Sequence, residues 1–183
     1  MALKATIFKA DVQVSDLDRH YYGSHSLTLA RHPSETDERL MVRLLAFCLY
    51  ASETLRFGRG LSTEDEADLL QPDATGSVQH WIDVGTPDPR DIRKAGGRAG
   101  RVSVLTYGRT VDVWWRQHRE ALSAQRNLSV LKLPVATTEA LAALASRNLS
   151  VQCTIQDGVA WFTSGETTIE AHPEVLQDPV GKR

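Results

Sequence analysis

The sequence predicts a mixed α/β fold with α+β character: a mixed central sheet flanked by helices, with a β-hairpin near each end. Three observations carry this. Residues 3–14 alternate apolar and polar side chains, residues 21–30 return in the same way, and a polar turn separates the two stretches. Residues 78–85, 90–101 and 102–107 read as strand, helix and apolar strand, a right-handed crossover joining a parallel pair. Asp157-Gly158 sits between two strand-like stretches, 149–155 and 159–163, and is a strong two-residue hairpin signal.

The bulk properties narrow the class. A chain of 183 residues is expected to form one compact unit over 1–183 without needing staples. At 42% hydrophobic and 24% charged it has the composition of a soluble globular protein, which argues against disordered and fibrous classes. The net charge of −2 gives no global drive toward nucleic acid, although a local basic groove is compatible with it. Cys48 and Cys153 form no CxxC pattern, as expected of small buried thiols in a reduced, cytoplasmic protein. The N-terminal residues lack a signal-peptide core, and no apolar run approaches the roughly 18 residues of a membrane span, so no membrane association is expected.

In the first strand Thr6, Phe8, Ala10, Val12 and Val14 share a face; in the second Leu27 and Leu29 do. A helix follows His32-Pro33. Ser34 is its expected N-cap, and Glu35, Asp37 and Glu38 load the first turn with charge that suits the helix dipole. The core stripe is Met41, Leu44, Leu45, Cys48 and Leu55. Walking it backwards places Glu38 on the inward face, although a dipole-friendly first-turn acid explains Glu38 equally well. The run Glu64-Asp65-Glu66-Ala67-Asp68 would ordinarily be a solvated patch. Here Leu69-Leu70 follows at once, so the last acid stands at a strand entrance. Residues 72–76 then turn the chain into the strand 78–85, setting the acids beside Asp83 in one antiparallel hairpin.

In that strand His80, Ile82 and Val84 share one face, and Trp81, Asp83 and Gly85 the other. A carboxylate in a buried strand requires a partner. Lys94 is one candidate and a divalent metal ion is another. Arg90, Lys94, Arg98 and Arg101 fall at i, i+4, i+8 and i+11, one helix face. Such a stripe is commonly just solvated; its functional reading is a phosphate-binding surface. Downstream, residues 110–124 are expected as a helix turning Val113, Trp114, Gln117 and Leu122 inward. A strand over 128–133, a helix over 137–147 and an edge strand over 167–171 follow, with 174–183 as a frayed tail. The tetrapeptide Asn-Leu-Ser-Val recurs at Asn127 and Asn148, each asparagine reading as a helix stop.

Glu38, one or two of Asp65, Glu66 and Asp68, and Asp83 together make a hard oxygen site of the kind Mg²⁺ or Mn²⁺ accepts. A metal there would acidify a bound water and polarise a phosphoryl oxygen. Lys94 could orient the attacking water or stabilise developing charge. This is the chemistry of phosphodiester hydrolysis.

The string Trp81-Ile82-Asp83-Val84-Gly85-x-Pro87-Asp88-x3-Ile92-Arg93-Lys94-Ala95-x-Gly97-Arg98-Ala99 resembles the YaeQ family of bacterial proteins. So do residues 1–7 and 27–36, the pair Trp114-Trp115, and residues 149–159 with Gln156-Asp157-Gly158. The family resembles a compact variant of the PD-(D/E)XK nuclease fold, which implies a restriction-endonuclease-like core. In that superfamily a helix carries Glu, an antiparallel meander carries Asp and then Asp/Glu-x-Lys, and a helix and parallel strand follow. The resemblance assigns Glu38 as the helix acid, Asp83 as the motif acid, and Glu66 or Asp68 as the first strand acid. Asp73, in a turn, suits that role less well. Gly85 stands where the lysine belongs, and Lys94 is the candidate substitute.

The implied catalytic set is Glu38, Glu66, Asp68, Asp83 and Lys94, with Glu66, Asp68 and Asp83 as ligands of Mg²⁺ or Mn²⁺. Arg90, Lys94, Arg98 and Arg101 are the nucleic-acid contacts. The expected function is a metal-dependent nuclease-like phosphodiesterase. The alternative is a catalytically inactive nuclease fold that binds nucleic acid or protein. A third reading makes the charges a structural ion network, Asp83 with Lys94 and Glu38 with Arg39 or Arg43.

Overall fold

A computed structural model of the chain describes residues 4–59 and 65–179. Two strands, β1 (Thr6–Asp16) and β2 (Tyr21–Arg31), precede the helix α1 (Asp37–Tyr50). Next come β3 (Arg56–Phe57), β4 (Leu69–Pro72), β5 (Val78–Val84), α2 (Pro89–Arg98), β6 (Ala99–Thr106), α3 (Val111–Ser123) and β7 (Leu128–Lys132). The remainder is α4 (Val135–Ala143), β8 (Asn148–Gln156), β9 (Val159–Ser164), β10 (Thr167–Ala171) and β11 (Glu174–Gln177).

Among the described residues the strands form two mixed sheets. The six-stranded sheet, in the order β11-β7-β6-β5-β4-β3, is the central sheet the sequence predicts. β3, β4 and β5 make an antiparallel meander, and β5-α2-β6 closes in parallel, as the crossover requires. The terminal hairpins do not stand apart. β1 pairs in parallel with β8, fusing them into a five-stranded sheet in the order β10-β9-β8-β1-β2.

This second sheet changes the place of α1. An amphipathic stripe predicts one buried face, yet every residue from Leu40 to Cys48 is buried. The helix lies in a core built from Phe8, Val12, Val151 and Phe162 of one sheet and Leu69, Ile82, Val84 and Leu105 of the other. A smaller core on the far face of the six-stranded sheet joins Ile92 and Ala95 of α2 to Val102, Val104 and Trp114. No helix among the described residues is long and apolar enough to cross a membrane.

Local differences have local causes. Thr36, not Ser34, caps α1, its hydroxyl accepting from the Arg39 amide at 3.1 Å. The Ser34 hydroxyl is engaged by His32 Nδ1 at 2.7 Å, so the helix starts two residues later than predicted and ends before Leu55. α2 stops at Arg98, where the Ala99 backbone turns extended, so Arg101 belongs to β6. In α3 Val111, Trp114 and Leu122 are buried, while Val113 is exposed. α4 begins right after Pro134 and covers 135–143. Glu174–Gln177 is not frayed: it pairs with β7 as β11. Asp157 and Gly158 adopt φ of 52° and 75°, the left-handed pair a tight hairpin turn demands.

Candidate functional site

The β4–β5 register decides which acids meet. Leu69 stands opposite Ile82, so one step outward Asp68 stands beside Asp83. The Asp68 amide donates to Asp83 Oδ1 at 3.3 Å, and the Val84 amide donates to Asp68 Oδ2 at 2.9 Å. Trp81, two residues from Asp83 on the same face, donates from Nε1 to Asp83 Oδ2 at 2.9 Å. Burial pushes the Asp83 carboxyl up to about 6, and the negative charge of Asp68 adds to the rise. The hydrogen bonds from Trp81 and the Asp68 amide, and the Arg39 charge, hold it from going further.

The cation at this pair is Arg39, from the first turn of α1. Its Nη2 donates to Asp68 Oδ1 at 2.6 Å, and its Nη1 to Glu35 Oε1 at 3.2 Å. Burial works against the Arg39 charge, but Asp68 and then Glu35 outweigh it and raise its pKa. Glu35 also receives Arg43 Nε and Nη2, at 2.7 and 2.9 Å, deep in the core. Arg43 spends a further N–H on the Ala30 carbonyl at 3.0 Å. A buried pair of this kind survives because its hydrogen bonds are satisfied. Tyr107, just past β6, shares the neighbourhood. Burial pushes its hydroxyl up to about 12, with Arg39 opposing and Glu38 and Asp68 reinforcing the rise.

The predicted site residues separate into those that meet and those that do not. Asp68 and Asp83 meet. Glu38 faces inward as expected but accepts from Thr138 Oγ1 of α4 at 2.7 Å. Glu66 is turned to Arg59, whose amide donates to it at 3.2 Å. Lys94 is 60% exposed and stands 3.8 Å from Asp91 on its own helix, so it fills neither the motif's lysine slot nor the role of Asp83's partner. Gly85, at φ +94°, turns the chain there, and a Cβ added to it would meet the Tyr107 ring at 3.8 Å.

The basic stripe is likewise divided. Arg90 pairs with Asp88 at 3.0 Å, and Arg98 stands 3.9 Å from Asp65, so nearby carboxylates offset its exposed charges. Arg101 points to the opposite side of the sheet. The predicted ion network exists with other members: Glu35 and Asp68 around Arg39, in place of Glu38 and Lys94. Glu64 of the acid run lies outside the described residues.

As arranged, these residues do not fit a divalent ion. Each carboxylate oxygen of Asp68 and Asp83 already accepts a hydrogen bond, one of them from a guanidinium. Among the described residues, no three His, Cys, Asp or Glu side chains gather with metal-ligand spacing.

Sequence reasoning named Arg39 only as a partner of Glu38, missed its pairing with Asp68 and Glu35, and missed Tyr107. For Arg39 a signal was present: Glu35, Arg39 and Arg43 recur every four residues, a ladder that lets one guanidinium and one carboxylate alternate along one edge of a helix. For Tyr107, one apolar strand removed in sequence, no signal was present.

Comparison with known proteins places the chain. The YaeQ protein family model matches residues 1–173. The uncharacterized protein YaeQ of Escherichia coli (strain K12) is 45% identical over 181 residues, covering 98% of this chain and 99% of its own length. The protein of the same name from Salmonella typhi has the same identity and coverage. The crystal structure of YaeQ protein from Xanthomonas axonopodis pv. citri superposes with a TM-score of 0.93 at 48% identity, covering 96% of this chain and 99% of that one. That of YaeQ protein from Pseudomonas syringae gives 0.92 at 36% identity, covering 97% and 98%. The chain belongs to the YaeQ family.

Proposed function

We propose that this protein is a nuclease-like fold without hydrolytic activity, serving as a binding or regulatory module. The order α1, β3-β4-β5 meander, α2, parallel β6 supports the nuclease-like ancestry, because it is the order in which that superfamily deploys its motif. The single observation that carries the loss of hydrolysis is the Arg39–Asp68 ion pair at 2.6 Å. A guanidinium stands at the acid pair, and the only lysine near the motif in sequence faces solvent. An arginine cannot serve as the base that deprotonates water, since it stays charged at any working pH. Fold alone does not restore the activity.

A second reading, metal-dependent phosphodiester hydrolysis, is favoured by one observation. Asp83 is pushed up to about 6 by burial and by the charge of Asp68, a perturbation that carboxylates at functional sites often share.

A cleavage assay with Mg²⁺ or Mn²⁺ on single-stranded, duplex and branched DNA and RNA separates the two. The proposal expects no product beyond that of Asp83→Asn, and no calorimetric heat with either ion. Metal-dependent cleavage that disappears in Asp83→Asn overturns it. Fluorescence anisotropy with the same oligonucleotides, metal omitted, then reads whether the module binds nucleic acid.

A further inference from the structure

We propose that the cleft around Arg101, on the opposite face of β5 from Asp83, binds a small organic oxyanion: a carboxylate or phosphate on an apolar body. The site is independent of the acid pair and stands whether or not that pair hydrolyses anything.

The cleft has a volume of about 400 Å³ and lies between the end of α1, the six-stranded sheet and the β8–β9 turn. Small-ligand sites span roughly 300–1,000 Å³, so one compact molecule fits. The parallel register sets His80 of β5 beside Arg101 of β6, and both side chains lie against Tyr50 at the end of α1. The Arg101 guanidinium stands 5.7 Å from the centre of the Tyr50 ring. His80 meets the same ring edge-on at 4.9 Å, and its Nε2 is 2.7 Å from Ser103 Oγ. Leu131, Ile155 and Val175 supply apolar wall.

The Arg101 side chain makes no hydrogen bond or ion pair among the described residues, and its Nε is buried with no acceptor. The Tyr50 ring beside it leaves the Nε donor without an acceptor and the terminal N–H groups without a protein partner. The cleft's own acids are committed elsewhere. Asp16 holds Arg19 at 2.6 Å, and Asp18 accepts the amides of Asp157 and Gly158 at 2.8 and 2.9 Å. What remains is Arg101, a guanidinium with no ion pair of its own and a planar fork of donors at an aromatic and aliphatic wall, with the Asp18 carboxylate as the cleft's other charge not held in an ion pair. A two-oxygen anion matches the fork, and an apolar body matches the wall.

The test is amide NMR titration of the full chain with phenyl phosphate, benzoate, inorganic phosphate and benzyl alcohol. Phenyl phosphate or benzoate is expected to shift the amides of Tyr50, Gly158 and Val175. Whichever of the two binds tighter identifies the anion, inorganic phosphate is expected to bind more weakly, and benzyl alcohol not at all. Arg101→Met should weaken binding at least about tenfold, the size of a lost charge-assisted pair, with Arg101→Lys between it and the parent. Val175→Trp, at an exposed wall, should block the cleft without touching the guanidinium, and it decides the matter if Arg101→Met fails to fold. The proposal is overturned if neither organic anion shifts these amides at concentrations up to about ten millimolar. Unchanged affinity in folded Arg101→Met, or in Val175→Trp, overturns it equally.

Discussion

Replacing Asp83 by asparagine interrogates the charge of the acid pair directly. The Asp83 carboxyl rises from 3.8 to about 6 on folding, for the reasons of burial and the Asp68 charge. A shift of about two pH units is worth about 3 kcal/mol. The folded state holds this proton more tightly than the unfolded state. Stability on this account therefore falls as pH rises from 3.8 to about 6, and the full penalty is present above that window. Asparagine carries no charge at any pH and escapes the penalty. It does present an amide N–H₂ to one of the two donors now served by Asp83, the Asp68 amide or Trp81 Nε1, which costs about 1–3 kcal/mol at every pH. The difference in stability between variant and parent should thus swing by about 3 kcal/mol in favour of the variant between about pH 3 and pH 7. Acids not coupled to Asp83 are common to both proteins and cancel; Asp68, whose charge contributes to the rise, titrates with Asp83 as a pair and its response is part of the swing. Urea unfolding at a series of pH values measures the swing, and carboxyl ¹³C NMR of the parent locates the titration. A difference that stays flat across the range refutes the reasoning, because Asp83 would then ionise alike in both states.

Three further outcomes are expected. Arg39→Met leaves Asp68 without its cation and should destabilise the fold by about 3 kcal/mol in urea unfolding; it should also push the Asp83 titration higher, and open the acid pair to Mn²⁺ in calorimetry where the parent shows no heat. Gly85→Lys should not restore the motif, because φ at this position is +94°; the strain should lower stability by about 1–3 kcal/mol, read as a reduced thermal midpoint. Lys94→Ala removes only an exposed side chain and should change stability by less than about 0.5 kcal/mol in the same unfolding assay.

How far the sequence could be read follows from the range of the interactions. The β4–β5 hairpin and the β5-α2-β6 crossover are built by neighbours, and periodicity with turn residues set the run Asp65, Glu66 and Asp68 beside Asp83 without choosing among the three; the strand register selects Asp68. The helix stripe likewise found Met41, Leu44, Leu45 and Cys48. What was hidden depends on contacts between distant segments. The Glu38–Thr138 hydrogen bond joins α1 to α4, and no local pattern announces it. The cover over the second face of α1 comes from β8, β9 and β1, which become one sheet only when the chain ends meet. Lys94 was placed by analogy, whereas its direction was fixed by Ile92 and Ala95, which claim the inward face of α2. Arg101 was misassigned because a helical spacing was carried three residues past the true helix end.

The parallel pairing of β1 with β8 has a consequence for how the protein is made. Lys9 stands opposite Asn148, so the hairpin synthesised first has to wait for one of the last strands. At roughly 5–20 residues per second, that wait is on the order of ten seconds. Throughout it, the edge of β1 that will meet β8 presents unpaired backbone N–H and C=O groups. Joining the present ends and opening the chain at the Asp157-Gly158 turn would place β8 just ahead of the cut, still late. Opening it in the 144–147 connection would bring β8 to the front, next in the chain to β9, and shorten the vigil.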